Sequence, residues 1–214
     1  MAGKECAMGL VKGKTDANAA DTGAKAEPNC EELRNALESA DAGVRRHAAR
    51  QLAGCTDDSS ALVSRLEREQ DGAVREVILN SLARLNDVVA VEGLVRCLRS
   101  EDAALRNEVI ETIRQMGTEV APVLESLLAD PDPDVRIFVV NILDSERHPE
   151  VERWLIQVID HDDHVNVCAT AVDQLCEVGT EAAIEPLLRL KARFASEAYI
   201  QFAADLALQR IREA

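Results

Sequence analysis

Apolar residues recur at helical spacing along most of the chain, in short stretches and not in one long run. One stripe, such as Leu62 and Leu66, precedes an aspartate, and a second stripe, such as Val74, Ile78 and Leu82, follows it. Residues four positions apart lie on the same face of an α-helix. The pattern therefore predicts two helices in each period, each with one apolar side.

A five-residue segment, Asp-x-x-Val-Arg or a close variant, marks each period. Its copies begin at aspartates that are 30, 31, 30 and 30 residues apart, and the fifth copy is the weakest. An aspartate directly before a helix accepts hydrogen bonds from the first backbone amides and lies at the positive end of the helix dipole. We therefore expect each aspartate to cap the second helix of its period. The five are Asp41, Asp71, Asp102, Asp132 and Asp162.

Further capping signals agree with these helix ends. Asn29, with Glu32 three residues later, is typical of a capping box at the start of the first helix. Gly117 and Gly179 follow second helices, where we expect left-handed C-caps. Together the signals predict six helix pairs. They lie at about 30–55, 58–86, 88–117, 118–146, 148–179 and 180–213.

A pair of short helices leaves one apolar side unburied unless it packs against another pair. The sequence therefore predicts an all-α fold, an α-solenoid of about six helical hairpins wound as a right-handed superhelix over residues 29–214. Residues 1–28 have no hydrophobic period, and we expect them to form a flexible N-terminal tail. The last hairpin, about 180–214, lacks the aspartate segment and is expected to be a divergent cap.

The repeated segment, the 30-residue step and helix endings such as residues 47–54 resemble HEAT repeats. The closer resemblance is to the short HEAT-like class that is also found in phycobilisome lyases. It extends well over residues 30–179 and more loosely over 180–214. In such families the aspartates and arginines of the repeat resemble a ladder that ties neighbouring repeats together. The residues at these positions are Asp41, Arg45, Asp71, Arg75, Asp102, Arg106, Asp132 and Arg136.

The charge of the chain narrows the choice of partners. Its 24 Lys and Arg residues face 39 Asp and Glu residues, which gives a net charge of −15. Broad nucleic-acid binding needs a positive surface that neutralises phosphates, so we expect no nucleic-acid partner. No apolar run is long enough for a membrane helix, and we expect no membrane partner. The acidic balance favours a partner protein with a basic surface.

The cysteines and the first residues indicate a compartment. Six cysteines show no Cys-x-x-Cys pair and no regular spacing, so we interpret all of them as reduced thiols. Charges at positions 4, 5 and 12 leave no apolar run typical of a signal peptide. These features predict a cytoplasmic protein. Cys168 and Cys176 lie eight residues apart on one predicted helix and are expected to be core residues.

Exposed polar positions of the second helices are the candidates for partner binding, because we expect those helices to form the concave face. The regular arginines themselves are either the structural ladder or a basic row that binds carboxylates or phosphates. All five aromatic residues follow position 137. Trp154 and Phe138 are expected in the core, whereas those of the last hairpin either fill its core or serve partner binding or self-association. The candidates are Arg50, Glu76, Asn80, Arg84, Glu111, Arg114, Asn141, Phe194 and Tyr199.

One cluster, His161 and His164 with Asp160, Asp162 and Asp163, has metal-binding residue types. The cluster lies in a predicted turn between two helices, where aspartates commonly cap a helix. This position favours solvated turn residues over a metal site. No phosphate loop, nucleophile elbow or metalloprotease motif occurs, so we expect no catalytic residue, no resident metal and no cofactor. We expect a non-enzymatic scaffold that binds another protein on its concave face. The alternative, implied by the resemblance, is a phycobilisome-lyase-like factor in chromophore or cofactor attachment.

Overall fold

The computed structural model describes residues 29–55, 58–143 and 148–213. All regular structure in these ranges is helical, with twelve α-helices and two short 3-10 helices. The α-helices are α1 (Cys30–Ala36), α2 (Ala42–Leu52), α3 (Ser59–Leu66), α4 (Gly72–Leu85), α5 (Val88–Cys97), α6 (Ala103–Gln115), α7 (Ala121–Leu127), α8 (Pro133–Leu143), α9 (Val151–His161), α10 (Val165–Val178), α11 (Ile184–Arg193) and α12 (Ala198–Glu213). The 3-10 segments Gly117–Val120 and Glu181–Ala183 precede α7 and α11.

Consecutive helices form pairs, and the pairs stack in chain order. The second helix of each pair packs on the second helix of the next, so that α2, α4, α6, α8, α10 and α12 form one layer. First helices contact each other in the other layer, as α3 does with α5 and α9 with α11. The fold is therefore the expected all-helical solenoid. Its right-handed superhelix stays a prediction.

The repeated aspartates begin the second helices through their side chains. Asp41 Oδ1 accepts hydrogen bonds from the amides of Gly43 and Val44, at 2.6 and 3.2 Å. These bonds satisfy amides that have no partner within the helix. Asp71 and Asp102 each accept an equivalent pair of bonds, and Asp132 accepts one, from the amide of Asp134.

The fifth copy departs from this arrangement. Asp162 Oδ1 accepts from the amide of His164 at 2.8 Å, but α10 begins only at Val165, and His164 occupies the N-cap position. The expectation that Asp162 caps a helix is therefore wrong. Its carboxylate instead bonds to the guanidinium of Arg136 in the preceding repeat, at 2.6 and 3.0 Å.

The two glycines expected at C-caps behave differently. Gly117 has φ +75° and is left-handed, as expected. Gly179 has φ −68° and ψ 141°, so the expected left-handed C-cap is wrong there. A Cβ at this position would lie 2.4 Å from the backbone oxygen of Leu175 and 3.0 Å from Cδ1 of Ile211. Close packing, and not handedness, requires the glycine.

The core follows the apolar stripes of the sequence. It is built mainly from Leu, Val, Ile and Ala side chains along the whole stack. Trp154 is buried, as expected, with its indole ring stacked on His148 at a centroid distance of 5.0 Å. Phe138 is only partly buried and packs against the edge of the core. At the first helix, Asn29 accepts a hydrogen bond from the amide of Glu32 at 3.3 Å.

The interpretation of all six cysteines as reduced thiols is wrong for two of them. Cys30 and Cys55 form a disulfide, with their Cα atoms 6.1 Å apart. Cys30 is the first residue of α1 and Cys55 follows α2, and a helical hairpin returns the chain to the end where it began. Cys97 and Cys168 are buried free thiols, and burial raises the pKa of each to about 11. Cys176 is a half-buried free thiol.

Three expectations concern the ends of the chain and its surroundings. No helix of the described ranges is long and apolar enough to cross a membrane. The proposed tail, residues 1–28, lies outside the described residues. The role of the last hairpin as a divergent cap stays a prediction.

Candidate partner-binding groove

The arginines of the repeated segment reach from one repeat into the next. Arg45 donates to Glu69, with Nε 2.8 Å from Oε2 and Nη2 2.9 Å from Oε1. Arg75 Nη1 lies 2.9 Å from Asp102 Oδ2. Arg136 Nε donates to Asp162 Oδ2 at 2.6 Å. Each of these carboxylates belongs to the repeat that follows the arginine.

Arg106 is the exception among the four. Its Nη1 donates to the carbonyl oxygen of Ser100 at 2.5 Å, and its guanidinium lies 5.7 Å from the centroid of the Phe138 ring. The next repeat therefore supplies an aromatic face to this arginine where it supplies carboxylates to the others. All four guanidinium groups are occupied within the stack.

Two of the carboxylates that bind these arginines, Glu69 and Asp162, have lowered pKa values. Burial alone would raise the pKa of Glu69, but hydrogen bonds from Arg45, Arg65 and the amide of Asp71 outweigh it and lower the pKa from 4.5 to about 2. The pKa of Asp162 is also lowered, because bonds from Arg136 and the His164 amide outweigh the effect of burial. Both groups are charged at neutral pH.

The nine partner-binding candidates do not lie on one surface. Four of them, Arg50, Glu76, Asn80 and Arg84, line one groove between α2 and α4, and Arg46 joins them there. We call this surface, lined by Arg46, Arg50, Glu76, Asn80 and Arg84, the α2–α4 groove. Ala73 and Val77 form its apolar part, and its volume is about 420 Å³.

The helices on either side of this groove are held together beneath it. Ser81 Oγ donates to the carbonyl oxygen of Ala49 at 2.9 Å, which joins α4 to α2. Buried Ile78 and Leu82 on α4 continue the contact below the exposed polar side chains. The groove therefore lies on the packed surface that joins α2 and α4.

Three arginines of the groove have no partner of their own. Within the part of the chain that the structure describes, Arg46, Arg50, Arg84 and Arg212 make no side-chain hydrogen bond and no ion pair, whereas the other arginines do. Three of these four lie in the α2–α4 groove, where Glu76 is the one acidic lining residue. The groove therefore carries excess positive charge on a chain whose net charge is −15.

Sequence reasoning did not select Arg46. The signal was present, because Arg46 precedes Arg50 by four positions and shares its helix face. Arg46 also occupies the same place in its repeat as the predicted candidate Glu76 does thirty residues later.

The remaining candidates contact groups of the protein itself. Arg114 Nη2 donates to the carbonyl oxygen of Asn141 at 2.5 Å, and Arg114 Nη1 lies 3.6 Å from Glu111 Oε2. Tyr199 is exposed, and its hydroxyl donates to the carboxylate of Asp173 at 2.9–3.0 Å. Phe194 is half-buried beneath the guanidinium of Arg193, at 4.8 Å. These residues lie outside the α2–α4 groove, and self-association through the last hairpin stays a prediction.

The histidine and aspartate cluster at the end of α9 makes several separate contacts. Asp160 accepts from Arg189 at 2.8 Å, Asp162 accepts from Arg136, and His161 Nδ1 lies 3.0 Å from the carbonyl oxygen of Gln157. Among the described residues, the group that has metal-ligand spacing lies elsewhere, at Cys30, Cys55 and Asp58. Asp160, His161 and Asp162 are thus engaged with other groups of the protein, whereas Nδ1 of His164 is buried and has no hydrogen-bond partner among the described residues.

Comparison with known proteins places the fold in a family. The family model for HEAT repeats matches residues 59–136 and 120–209, so the chain belongs to the HEAT-repeat proteins. Among curated proteins, it is 27% identical over 152 residues to the bilin biosynthesis protein PecE of Mastigocladus laminosus. That match spans 69% of this chain and 56% of the relative. The chain therefore spans little more than half the length of PecE.

Solved structures that are similar to this chain share little sequence identity with it. The HEAT-like repeats protein of Thermococcus onnurineus NA1 is 17% identical, with a TM-score of 0.47 over 86% of this chain and 87% of that one. The complex of CpcE and CpcF of phycocyanin lyase from Nostoc sp. PCC7120 is 16% identical, with a TM-score of 0.36 over 93% of this chain and all of that one. The resemblance to HEAT repeats, including the class found in phycobilisome lyases, is confirmed.

Proposed function

We propose that this protein is a non-enzymatic HEAT-repeat scaffold, and that it binds an acidic segment of a partner protein in the α2–α4 groove. The observation that supports the proposal is the convergence of Arg46, Arg50 and Arg84, which have no partner within the described chain, on one groove. Elsewhere among the described residues the arginines bond to other groups of the protein, except Arg212 on α12, which stands alone. These three are available for a ligand.

The chemistry of the groove selects carboxylates. An arginine side chain presents planar N–H donors that match a carboxylate in two parallel hydrogen bonds. Asn80 adds an amide that both donates and accepts. Ala73 and Val77 offer an apolar strip beside them. A short peptide segment with Asp or Glu beside an aliphatic residue fits this combination.

The charge of the groove is opposite in sign to the net charge of the chain. The net charge of −15 favours a basic partner surface at long range, and that expectation stays a prediction for the acidic remainder of the protein. Within the groove the uncompensated charge is positive. The proposal therefore assigns an acidic segment to the groove, flanked by basic residues of the same partner that face the acidic surface.

The experiment compares two charge reversals. The double variant Arg50→Glu and Arg84→Glu reverses the groove, and Arg212→Glu on α12 reverses the fourth unpaired arginine outside it. Binding is measured by fluorescence anisotropy of a labelled Asp/Glu-rich peptide and by affinity purification from the native cell. We expect the groove variant to lose the peptide and its co-purifying protein, while Arg212→Glu retains both.

Ionic strength provides the second arm of this test. Contacts between exposed charges weaken as salt shortens the screening length from about 10 Å at 0.1 M to about 3 Å at 1 M. Peptide affinity should fall steadily over this range. Affinity that is indifferent to salt, or equal in the groove variant and the wild type, contradicts the proposal.

A second candidate function has its own supporting observation, the 27% identity to the bilin biosynthesis protein PecE. We propose as the alternative that the chain takes part in attaching or maturing a bilin chromophore together with a partner subunit. Purified protein mixed with a bilin should then show a shifted and intensified visible absorbance band. Protein that stays colourless and leaves the bilin spectrum unchanged contradicts bilin binding by this chain and leaves the scaffold proposal intact.

A further inference from the structure

Two cysteines and one aspartate come together where the first helix pair meets the second. Cys30 begins α1, Cys55 follows α2, and Asp58 precedes α3. The two sulfur atoms and a carboxylate oxygen of Asp58 all lie within 4.8 Å of one another. None of the three lines the α2–α4 groove, so the proposed function does not account for them.

The carboxylate of Asp58 has an unusual environment. Its side chain is only 2% exposed, and Oδ1 accepts a hydrogen bond from Nε of Arg34. Oδ2 is fully buried and has no hydrogen-bond partner within the described chain. The side chain also does not cap α3, although it stands at the N-cap position. A buried carboxylate oxygen without a partner is costly, so its presence points to a ligand.

We propose that Cys30, Cys55 and Asp58 form a redox-controlled Zn²⁺ site. In the reduced protein the two thiolates and the carboxylate bind the ion, and in the oxidised protein the disulfide replaces it. Thiolate and carboxylate oxygen are both ligands that Zn²⁺ takes in tetrahedral geometry. Three protein ligands leave a fourth position for water.

The charges of the site balance in both states. With the disulfide formed, the carboxylate of Asp58 is paired with the guanidinium of Arg34, and the local sum is zero. With Zn²⁺ bound, two thiolates and one carboxylate contribute three negative charges, and Zn²⁺ with Arg34 contributes three positive charges. The exchange therefore leaves no uncompensated charge in a buried place, which would be costly.

The chemical step also balances. A dithiol reductant transfers two electrons and two protons to the Cys30–Cys55 bond, so the S–S bond breaks, two thiols form and the reductant becomes a cyclic disulfide. Zn²⁺ then displaces the two thiol protons into solvent as it binds. A disulfide oxidant reverses the sequence by taking the two electrons from the sulfurs and releasing the ion.

Arg34 has a positioning role in this scheme. It holds Oδ1 of Asp58, which leaves Oδ2 as the oxygen available to the ion. Groups that hydrogen-bond a metal ligand from behind fix its orientation in many metal sites. The side chain of Arg34 is half-exposed, so it reaches the buried carboxylate from the surface of the protein.

The test uses the full chain in two redox states. The protein is reduced with a dithiol that is then removed under nitrogen, or is left oxidised, and each form is incubated with Zn²⁺ alone and desalted. Metal content is measured by atomic emission and affinity by competition with a chromophoric chelator. We expect one zinc ion per chain in the reduced form and none in the oxidised form. Co²⁺ in place of Zn²⁺ should give the visible bands of a tetrahedral thiolate site.

Three variants distinguish the site from adventitious binding by other thiols. Cys30→Ser should lose the ion, and Asp58→Asn, which keeps both thiols, should bind it at least about tenfold more weakly. Cys176→Ser removes a half-buried thiol elsewhere and should bind like the wild type. Circular dichroism establishes that each variant is folded. A reduced wild type that retains no zinc, or a folded Asp58→Asn variant that binds as tightly as the wild type, overturns the proposal.

Discussion

Arg45 of the first repeat and Glu69 of the second form a buried ion pair, with two hydrogen bonds of 2.8 and 2.9 Å between guanidinium and carboxylate. The same arginine also donates to the carbonyl oxygens of Ser39 and Ala40, so it closes the turn before its own helix. One side chain thus orders a turn within a repeat and joins that repeat to the next. The stack is held by such contacts in addition to its apolar seam.

The Arg45–Glu69 pair makes the free energy of unfolding depend on pH in the acid range. The unfolded chain takes up a proton at Glu69 near pH 4.5, whereas the folded chain does so only near pH 2. Between these values the unfolded state binds more protons, so the stabilisation is complete above pH 4.5 and is lost as the pH falls towards 2. We expect the free energy of unfolding, measured in urea across this range, to fall less steeply in Glu69→Gln than in the wild type.

The same variant has a large effect at neutral pH. Removing one partner of a buried ion pair leaves the other charge uncompensated, and such changes cost about 3–5 kcal/mol. Glu67→Gln is the matched control, because Glu67 is exposed and lies 3.6 Å from exposed Arg96. An exposed pair contributes only about 0–1 kcal/mol. Equal losses in the two variants would show that the Arg45–Glu69 pair does not stabilise the stack.

Arg75→Ala tests whether the regular arginines serve structure or binding. Arg75 is buried, bonds to Asp102 and donates from Nε to the carbonyl oxygen of Glu69 at 3.0 Å. Loss of hydrogen bonds from a charged group should lower the free energy of unfolding by about 1.5–3 kcal/mol. Thermal melts followed by circular dichroism measure the loss, with Arg96→Ala as the exposed control. A variant that melts like the wild type but no longer binds its partner would instead assign Arg75 to a binding surface.

The apolar stripes and the aspartate caps could be predicted from the sequence because both depend on residues that are close together in the chain. A cap such as Asp41 bonds to amides two and three residues away, and a stripe such as Val74 and Ile78 repeats every four residues. The helix pairs and their boundaries therefore follow from short segments of the chain.

The contacts between repeats could not be predicted from the sequence. The sequence does not show that Arg45 bonds to Glu69, or that Arg106 faces the ring of Phe138, because these choices depend on how two hairpins pack. The Cys30–Cys55 disulfide has a similar origin, since its separation of 25 residues is set by helix and turn lengths and follows no cysteine motif. Most of the candidate groove was predicted because it lies on one helix layer.

Replacing Gly179 with alanine should destabilise the protein, although alanine is ordinarily more favourable than glycine in a helix. Its backbone is extended, so an alanine there suffers no conformational strain, but the added Cβ would lie 2.4 Å from the Leu175 oxygen. The obstacle is backbone, which cannot rotate away, and α10 or the start of the last pair must shift. Overpacking of this kind costs about 1–3 kcal/mol, and we expect Gly179→Ala to lower the midpoint of urea unfolding accordingly.

Gly72→Ala is the matched control for this prediction. Gly72 is the first residue of α4, and no atom lies within 4 Å of the position of an added Cβ. Alanine there reduces the freedom of the unfolded chain and should stabilise the protein by about 0.4–1 kcal/mol. The two glycine substitutions should therefore move the unfolding midpoint in opposite directions. A Gly179→Ala variant as stable as Gly72→Ala would mean that the contacts with the Leu175 oxygen and with Ile211 of α12 do not exclude a Cβ at this position.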